Sequence, residues 1–294
     1  MKRKISFTTQ GKRADIGDFK IYRLLPNRYL SSVGPFVFLD HVPPVTHSSD
    51  EPLKVVDGSG AHPHRGIATL TYILNGEADH YDSKGHTAIV HSGGAQWMKA
   101  GNGIIHDEVM NVDSETTDLV THAFQFWINL PSKQKAESSE YMPVQASDIP
   151  KKLLDNNASW IKVVAGNYEN MISKIPSYSK QLLYHIRLEA GKQFVLATEK
   201  EVEYAAFLPL QNAIINDTSF EKGDLIAFDS NEGNIEIQNN SDVGIDILLF
   251  GGEKYNEPII FGGPFVMNSQ EEIAQAYEDF HLGKYGKISY EQHN

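Results

Sequence analysis

The sequence predicts an all-β protein. Short runs rich in Val, Ile, Leu, Tyr and Phe recur along the 294 residues, and turns rich in Gly, Asn, Asp and Ser separate them. Strands spaced in this way, without long helices between them, are typical of a β-sandwich or a β-barrel. The predicted strands, in chain order, are Phe36–Leu39, Ala68–Leu74, Thr87–Val90, Gln96–Ala100, His122–Leu130, Ile161–Ala165, Leu182–Leu188, Tyr204–Leu208, Leu225–Phe228, Ile235–Gln238 and Ile245–Phe250.

One helix is predicted near the C-terminus. Ser269, followed three residues later by Glu272, forms a capping-box pattern in which the serine oxygen accepts a first-turn N–H and the glutamate reaches back. Apolar residues then recur at helical spacing in a single stripe, at Ile273, Ala276, Tyr277 and Phe280. Gly283 is expected to end the helix, and the apolar stripe is expected to pack on a core.

A polar segment near the middle divides the chain. It begins at Pro131, lacks periodicity and continues to residue 147, which predicts an inter-domain linker. The expected domains are residues 1–135 and 136–294, since a chain of this length usually has two. Only three of the 12 histidines follow the linker: His185, His281 and His293. Histidine-based chemistry is therefore expected in the N-terminal domain.

Composition excludes several classes of function. Because the chain has no cysteine, it forms no disulfide framework, iron–sulfur cluster or thiolate zinc site. The formal net charge of −12, with His neutral, argues against direct binding to nucleic-acid phosphates. The N-terminus shows no apolar region of a secretory signal, and no run approaches the ~18–20 apolar residues of a membrane span. A cytoplasmic protein without a membrane partner is expected.

Two pairs of donor residues carry the predicted chemistry. His62 and His64 flank a proline, and His106 and Glu108 flank an aspartate. In an extended strand, residues i and i+2 project to the same face, so each pair presents two donors side by side. Two such strands together would place three imidazoles and one carboxylate around a point, which suits a first-row divalent metal with open positions for substrate or dioxygen. A single histidine pair of this kind also occurs without a metal, on surfaces or hydrogen-bonded in cores.

Other polar and aromatic residues have competing interpretations. His80, His86 and His91 form a competing histidine cluster around the polar segment 79–85, but that segment predicts a turn, which favours solvent-exposed histidines. Arg65 could orient an anionic substrate or a ligand carboxylate, or it could form a structural salt bridge. Five residues could line an apolar pocket or simply pack in the core: Trp97, Met98, Phe124, Phe126 and Trp127.

These motifs together resemble the pirin branch of the cupin superfamily. The matching segments are 62–66 (HPHRG), 96–108 (QWMKAGNGIIHDE), 38–41 (FLDH) and the C-terminal run from Glu257 to Gly286. The resemblance spans most of the chain. It implies a bicupin, which has two antiparallel, jelly-roll-like β-barrels, with metal ligands in the N-terminal barrel and none in the second.

The resemblance also implies a site and an activity. By motif position, the metal ligands are His62, His64, His106 and Glu108. The metal in the family is usually iron, here Fe(II), although the donor set would also suit zinc, nickel, copper, cobalt or manganese. Bacterial members include quercetin 2,3-dioxygenases, which implies a flavonol-like substrate, dioxygen and Glu108 as a general base.

Two alternatives to the enzyme stay open. Vertebrate pirins are nuclear transcription co-regulators, which implies a non-catalytic, iron-dependent protein that binds a regulatory protein partner. The other alternative is a scaffold that holds no metal.

Two positions depart from the family pattern. Ala68 stands where the family commonly has Glu, and Gly94 stands where it has Asp. Neither change removes an expected ligand, but both affect the shape of the pocket and hence the choice of substrate. A monomer is expected because two barrels can bury their own interface. The sequence leaves the natural substrate and the identity of the metal open.

Overall fold

The computed structural model describes residues 1–16, 20–155 and 158–290, and antiparallel strands dominate these ranges. The strands are β1 (Ile5–Gln10), β2 (Lys12–Arg13), β3 (Tyr22–Leu25), β4 (Phe36–Thr46), β5 (His62–His64), β6 (Ile67–Asn75), β7 (Glu77–Asp82), β8 (Thr87–Val90), β9 (Ala95–Lys99), β10 (Ile104–Asn111), β11 (Val120–Asn129), β12 (Glu140–Val144), β13 (Lys151–Leu153), β14 (Trp160–Ala165), β15 (Asn167–Tyr168), β16 (Met171–Ile172), β17 (Gln181–Leu188), β18 (Gln193–Thr198), β19 (Val202–Phe207), β20 (Ala213–Ile215), β21 (Thr218–Phe220), β22 (Asp224–Phe228), β23 (Gly233–Gln238), β24 (Ile245–Glu253), β25 (Ile260–Gly262) and β26 (Phe265–Met267).

The helical elements are few. They are α1 (Ser132–Lys135), α2 (Gln270–His281) and a 3-10 turn at Ala146–Asp148. In the described part of the chain, neither helix has the length and apolar character needed to cross a membrane. The all-β prediction, with a helix near the C-terminus, is confirmed.

The chain divides into two compact units, each made of two segments. Unit 1 contains Met1–His41 and Ile149–Tyr255, and unit 2 contains Val42–Asp148 and Asn256–Asn294. These units differ from a simple division of the sequence after residue 135. In unit 1 the N-terminal strand β1 pairs with β22 from the second half of the chain. In unit 2 the C-terminal helix α2 packs with β25 and β26. The division after residue 135 stays a prediction about sequence domains.

The two larger antiparallel sheets of unit 1 enclose its apolar interior. Their strand orders are β1-β22-β19-β24-β17-β14-β13 and β18-β23-β20-β21. Alternation along β18 shows how the interior is built, because Phe194 and Leu196 are buried while Val195 between them is exposed. The inward side chains form one apolar cluster, to which Tyr184, Tyr204, Phe220, Ile237 and Ile247 also belong. Hydrophobic packing thus fills the interior of this unit.

Unit 2 carries the strands with the predicted donor pairs. One sheet has the order β5-β10-β7-β8, and β12-β9-β6-β11 are neighbours in another. The middle strands of the second group are buried along most of their length, with Leu70, Trp97 and Phe126 at most 1% exposed. A small four-stranded sheet therefore presents its donors beside a packed apolar sheet.

The C-terminal helix forms as the sequence predicts. The side chain of Ser269 accepts a hydrogen bond from the backbone N–H of Glu272 at 3.2 Å. The carboxylate of Glu272 reaches back to the backbone N–H of Asn268 at 2.7 Å. Ile273 and Ala276 are buried against β25 and β26. The serine half of the capping box therefore forms, Glu272 reaches back one residue beyond the cap, and Ile273 and Ala276 face the core of unit 2.

The segment 131–147 is not the linker that its composition predicts. It contains α1, the strand β12 and a 3-10 turn. Strand β12 pairs with β9 in antiparallel register, with Tyr141 opposite Met98. The linker prediction is wrong because a polar sequence can still form an edge strand when its backbone pairs with a buried neighbour.

Candidate metal centre

Antiparallel pairing of β5 with β10 brings three histidines together. His62 lies directly opposite His106, and His64 lies two residues further along the same strand face. The Nε2 atoms of His62 and His106 are 3.0 Å apart. Ring centroids are separated by 4.4 Å for His62–His106, 4.9 Å for His62–His64 and 5.1 Å for His64–His106. Ligand atoms of all three lie within 4.8 Å of one another.

Backbone carbonyls orient two of these rings. Nδ1 of His62 donates to the Gly60 carbonyl at 2.7 Å, and Nδ1 of His64 donates to the Pro264 carbonyl at 3.0 Å. Because a carbonyl only accepts, each Nδ1 carries a hydrogen, and in the neutral ring the Nε2 then keeps its lone pair. Metal-binding histidines are typically oriented in this way, by a hydrogen bond from the ring nitrogen that does not bind the metal.

The Nε2 atoms of the three histidines fit a metal ion. Nε2 of His64 is buried and has no hydrogen-bond partner, and the side chain is only 1% exposed. A buried polar atom left in this way costs free energy unless a proton or a cation completes it. The 3.0 Å separation between His62 and His106 is also about what two nitrogens ~2.1 Å from one ion would show at a right angle.

Electrostatics keeps the buried histidines neutral. Burial, together with the neighbouring His62, lowers the pKa of His64 to about 3. Burial and the adjacent imidazoles also hold the pKa of His106 well below its usual value. Neutral imidazole is the form that binds a metal, so both rings are in the ligand state at neutral pH.

Glu108 lies close to only part of this group. It stands opposite His80 in the pairing of β10 with β7. Ligand atoms of His80, His106 and Glu108 lie within 4.8 Å of one another, so His106 belongs to both groups. Amide groups contact both carboxylate oxygens: Gln125 donates to Oε1 at 2.8 Å, and Gln96 donates to Oε2. The structure thus brings all four predicted ligands into one region, with Glu108 on the side of His80.

His80 is a site residue that the sequence reasoning missed. The prediction of an exposed turn is wrong for this position, because β7 extends to Asp82 and His80 is 1% exposed. Its ring stacks on Tyr141 with a centroid distance of 4.0 Å and an interplanar angle of 4°. Its Nε2 lies 3.3 Å from a carboxylate oxygen of Asp82. The i, i+2 spacing of His80 and Asp82 was the available signal, and the turn-like composition outweighed it.

The other two histidines near that turn differ from His80. His86 keeps 40% of its side chain exposed and contacts Asp82 through Nδ1 at 2.8 Å. His91 lies with Glu77 and Asp113 in a further group of donor atoms within 4.8 Å of one another. Its Nδ1 is 3.0 Å from a carboxylate oxygen of Asp113. Contacts with neighbouring carboxylates therefore hold both of these side chains.

The remaining candidates have structural roles. Arg65 forms an ion pair with Asp279 at 2.6 Å, which supports the salt-bridge interpretation over the substrate-orienting one. The five aromatic and sulfur-containing candidates are all buried, as core packing requires: Trp97, Met98, Phe124, Phe126 and Trp127. Trp127 also meets the ring of His64 edge to face, with centroids 5.0 Å apart. On the side of His64, the histidine group therefore packs directly against the apolar core.

Comparison with known proteins agrees with this architecture. The family model described as Pirin matches residues 18–128, and the model described as Pirin C-terminal cupin domain matches residues 183–286. A Pseudomonas aeruginosa protein provisionally named quercetin 2,3-dioxygenase is 32% identical over 97% of this chain and 99% of its own length. Pirin-1 of Arabidopsis thaliana is 31% identical over 76% of this chain and 77% of its own length.

Solved structures show the same fold. The crystal structure of quercetin 2,3-dioxygenase from Acinetobacter baumannii matches with a TM-score of 0.88 and 30% identity, covering 98% of this chain and all of the other. The Escherichia coli pirin YhhW, solved in complex with nickel(II), matches with a TM-score of 0.61 and 21% identity over 86% of this chain and 98% of its own, and it supports the fold alone. The two family models and the full-length relatives together show that this chain belongs to the pirin family and has its bicupin fold.

Proposed function

We propose that the protein is a metal-dependent dioxygenase that cleaves quercetin-like flavonols with dioxygen. The observation that carries the proposal is the three-histidine group. Its imidazoles converge, carbonyls orient two of them, and Nε2 of His64 is buried without a partner. The relatives named for quercetin 2,3-dioxygenase activity support the choice of reaction. We further propose a cytoplasmic monomer.

The proposed ligands are His62, His64, His106 and Glu108, and the proposed metal is a single divalent ion, Fe(II). Three neutral imidazoles and one carboxylate also suit zinc, nickel, copper, cobalt and manganese. The identity of the ion would therefore depend on availability as well as on the site. Such an ion would act as a Lewis acid and lower the pKa of a flavonol hydroxyl bound to it.

The side chains around the metal site would have separate roles in the reaction. Glu108 would accept the proton of the flavonol hydroxyl on a carboxylate oxygen, as a general base. The amides of Gln96 and Gln125 would hold that carboxylate in place during the transfer. His62 and Glu108 are half-buried whereas His64 and His106 are buried, so substrate would approach from the side of the first two. On the opposite side, Trp127 would exclude water from His64.

The test combines elemental analysis with turnover on one sample. Protein purified without a histidine tag is loaded anaerobically with Fe(II), and then aerobic quercetin consumption and carbon monoxide release are measured. The His62→Ala/His64→Ala double variant should lose both metal and turnover. His281→Ala is the matched control. This histidine is exposed on α2, where its Nδ1 donates to the Tyr277 carbonyl. Turnover by wild type no higher than that of the double variant would remove the proposal.

A second function is favoured by one observation. Plant proteins named only as pirins or pirin-like proteins are 31–32% identical to this chain over 74–87% of its length. The corresponding proposal is a non-catalytic, iron-dependent protein that binds a regulatory protein partner, with the acidic net charge favouring a protein over bare DNA. Full metal occupancy without turnover of any flavonol tested would favour it. If the affinity for a purified partner is the same with and without metal and in both oxidation states, this counts against the proposal.

A further inference from the structure

The carboxylate of Glu108 is held from two sides. Gln125 on β11 donates its amide to Oε1 at 2.8 Å, and Gln96 on β9 donates its amide to Oε2. Both amides come from the sheet that faces β10, and Gln96 is 4% exposed. Two neutral donors on an ionised carboxylate form charge-assisted hydrogen bonds, which are stronger than bonds between neutral groups. Rotation of Glu108 would break at least one of them.

Tyr141 on β12 fixes one of these amides. Its hydroxyl donates to Oε1 of Gln96 at 3.1 Å, which leaves the Nε2 of that amide to face Glu108. Burial, with a further contribution from the negative charge of Glu108, raises the pKa of Tyr141 above its usual value, so the hydroxyl keeps its proton and stays a donor. The stack of the Tyr141 ring on His80 holds the phenol in place.

From this geometry we propose that Gln96, Gln125 and Tyr141 are positioning residues that set the orientation in which Glu108 meets the metal. The inference rests on the proposed function, because it requires a metal at the three-histidine group. Outer partners of a metal ligand typically change metal affinity 10–100-fold when they are removed. An unclamped Glu108 would be free to rotate toward solvent, and the ion would then lose one oxygen donor or bind it in a different geometry.

The experiment uses Co(II) alone as the probe, added to the full-length, metal-free protein. Isothermal titration gives the affinity, and the visible absorption of bound Co(II) reports its coordination geometry. The variants are Gln125→Met and Gln96→Met, which keep side-chain length but remove the amide, and Tyr141→Phe, which removes one oxygen and keeps the ring stack. We expect about tenfold or greater loss of affinity for each Met variant, a smaller loss for Tyr141→Phe, and an altered Co(II) spectrum in all three.

A buried glutamine in unit 1 provides the matched control. Gln181 is 4% exposed and donates to the Pro176 carbonyl at 3.2 Å, in the unit whose interior is apolar. Gln181→Met removes a comparable buried amide. It should affect stability but leave the Co(II) affinity and spectrum at the wild-type values. A general effect of removing a buried amide is thereby separated from an effect on Glu108.

The possible outcomes distinguish the two proposals. If His62→Ala loses Co(II) while both Met variants bind it with wild-type affinity and spectrum, the positioning role is overturned and the metal site stands. If His62→Ala also binds like wild type, the proposed function itself fails. If a Met variant does not fold, the test rests on Tyr141→Phe. An unchanged Co(II) spectrum in that variant would overturn the proposal that Tyr141 positions Glu108 through Gln96.

Discussion

The buried ammonium of Lys135 should contribute strongly to the stability of unit 2. Lys135 ends α1, is 2% exposed, and donates to the Gly66 carbonyl at 2.7 Å, Asn129 Oδ1 at 2.6 Å and the Val266 carbonyl at 2.7 Å. Three acceptors match the three N–H donors of the ammonium form, and the neutral amine supplies two of these donors. Gly66 follows His64 by two residues, so the same contacts hold the backbone beside a proposed ligand.

The change to test is Lys135→Met, which keeps the length of the side chain and removes all three donors. Each buried acceptor that loses its only donor costs ~1–3 kcal/mol. The Gly66 carbonyl retains a donor in the Leu130 N–H at 3.3 Å, and loss of the buried ammonium returns part of its desolvation cost. We expect a net loss of about 3 kcal/mol in the free energy of unfolding at pH 7. In thermal unfolding this corresponds to a Tm decrease of about 6–10 °C.

The difference between the two proteins should grow with pH. Burial, partly offset by the carboxylates of Glu257 and Glu272, lowers the pKa of Lys135 from 10.5 to about 7. Between pH 7 and pH 10.5, Lys135 is protonated in the unfolded chain and neutral in the folded chain. The contribution of Lys135 to the free energy of unfolding therefore rises with pH. From pH 7 to pH 9 the wild type should gain about 2 kcal/mol relative to Lys135→Met, which lacks the group.

Urea unfolding followed by tryptophan fluorescence at pH 7, 8 and 9 measures both effects. Lys133→Met is the control, because Lys133 is an exposed residue of the same helix and should change stability little. A Lys135→Met protein as stable as wild type would refute the hydrogen-bond argument. A stability difference that stays constant from pH 7 to pH 9 would refute the titration argument.

Substitutions at three further positions test local geometry. Gly103→Ala should cost more than about 2 kcal/mol in urea unfolding, because its φ is +125° and a Cβ would lie 2.2 Å from the ring of Tyr285; wild-type stability would contradict this packing. Ser269→Ala should lower stability by about 1 kcal/mol through loss of the helix cap, and Ser269→Asp should restore it. Gly60→Ala would place a Cβ 2.6 Å from Oδ1 of Asp107, whose carboxylate the Gly58 N–H and the Tyr290 hydroxyl hold in place. We expect the Gly60 backbone to shift instead, and with it the carbonyl that orients His62, so Co(II) binding should weaken about tenfold; unchanged titration would refute that coupling.

Local patterns predicted much of the fold and of the site. Short apolar runs bounded by turn residues located strands such as β8 and β22, because β-branched and other apolar residues pack well on the buried face of a sheet. The capping box located α2, because both of its hydrogen bonds lie within five residues. The i, i+2 spacing of His62 and His64 predicted a shared face, and the structure places both rings beside His106.

Features that depend on distant pairing did not emerge from local composition. His80 lies in a polar segment typical of a turn, yet its register opposite Glu108 buries it beside the site. Tyr141 lies in a segment typical of a linker, yet pairing of β12 with β9 brings its hydroxyl to Gln96. In both cases a neighbouring strand far away in sequence decides whether a polar segment is exposed or buried.

The sequence by itself determined the all-β class, the C-terminal helix and three histidines on adjacent strand faces, because these depend on periodicity and short spacings. Only the tertiary structure decided that each compact unit combines two separate segments of chain and that Glu108 lies between two amides on the side of His80. The physical reason is that strand pairing brings together backbone groups distant in the chain. The register of that pairing, which no short window contains, selects the side chains that meet.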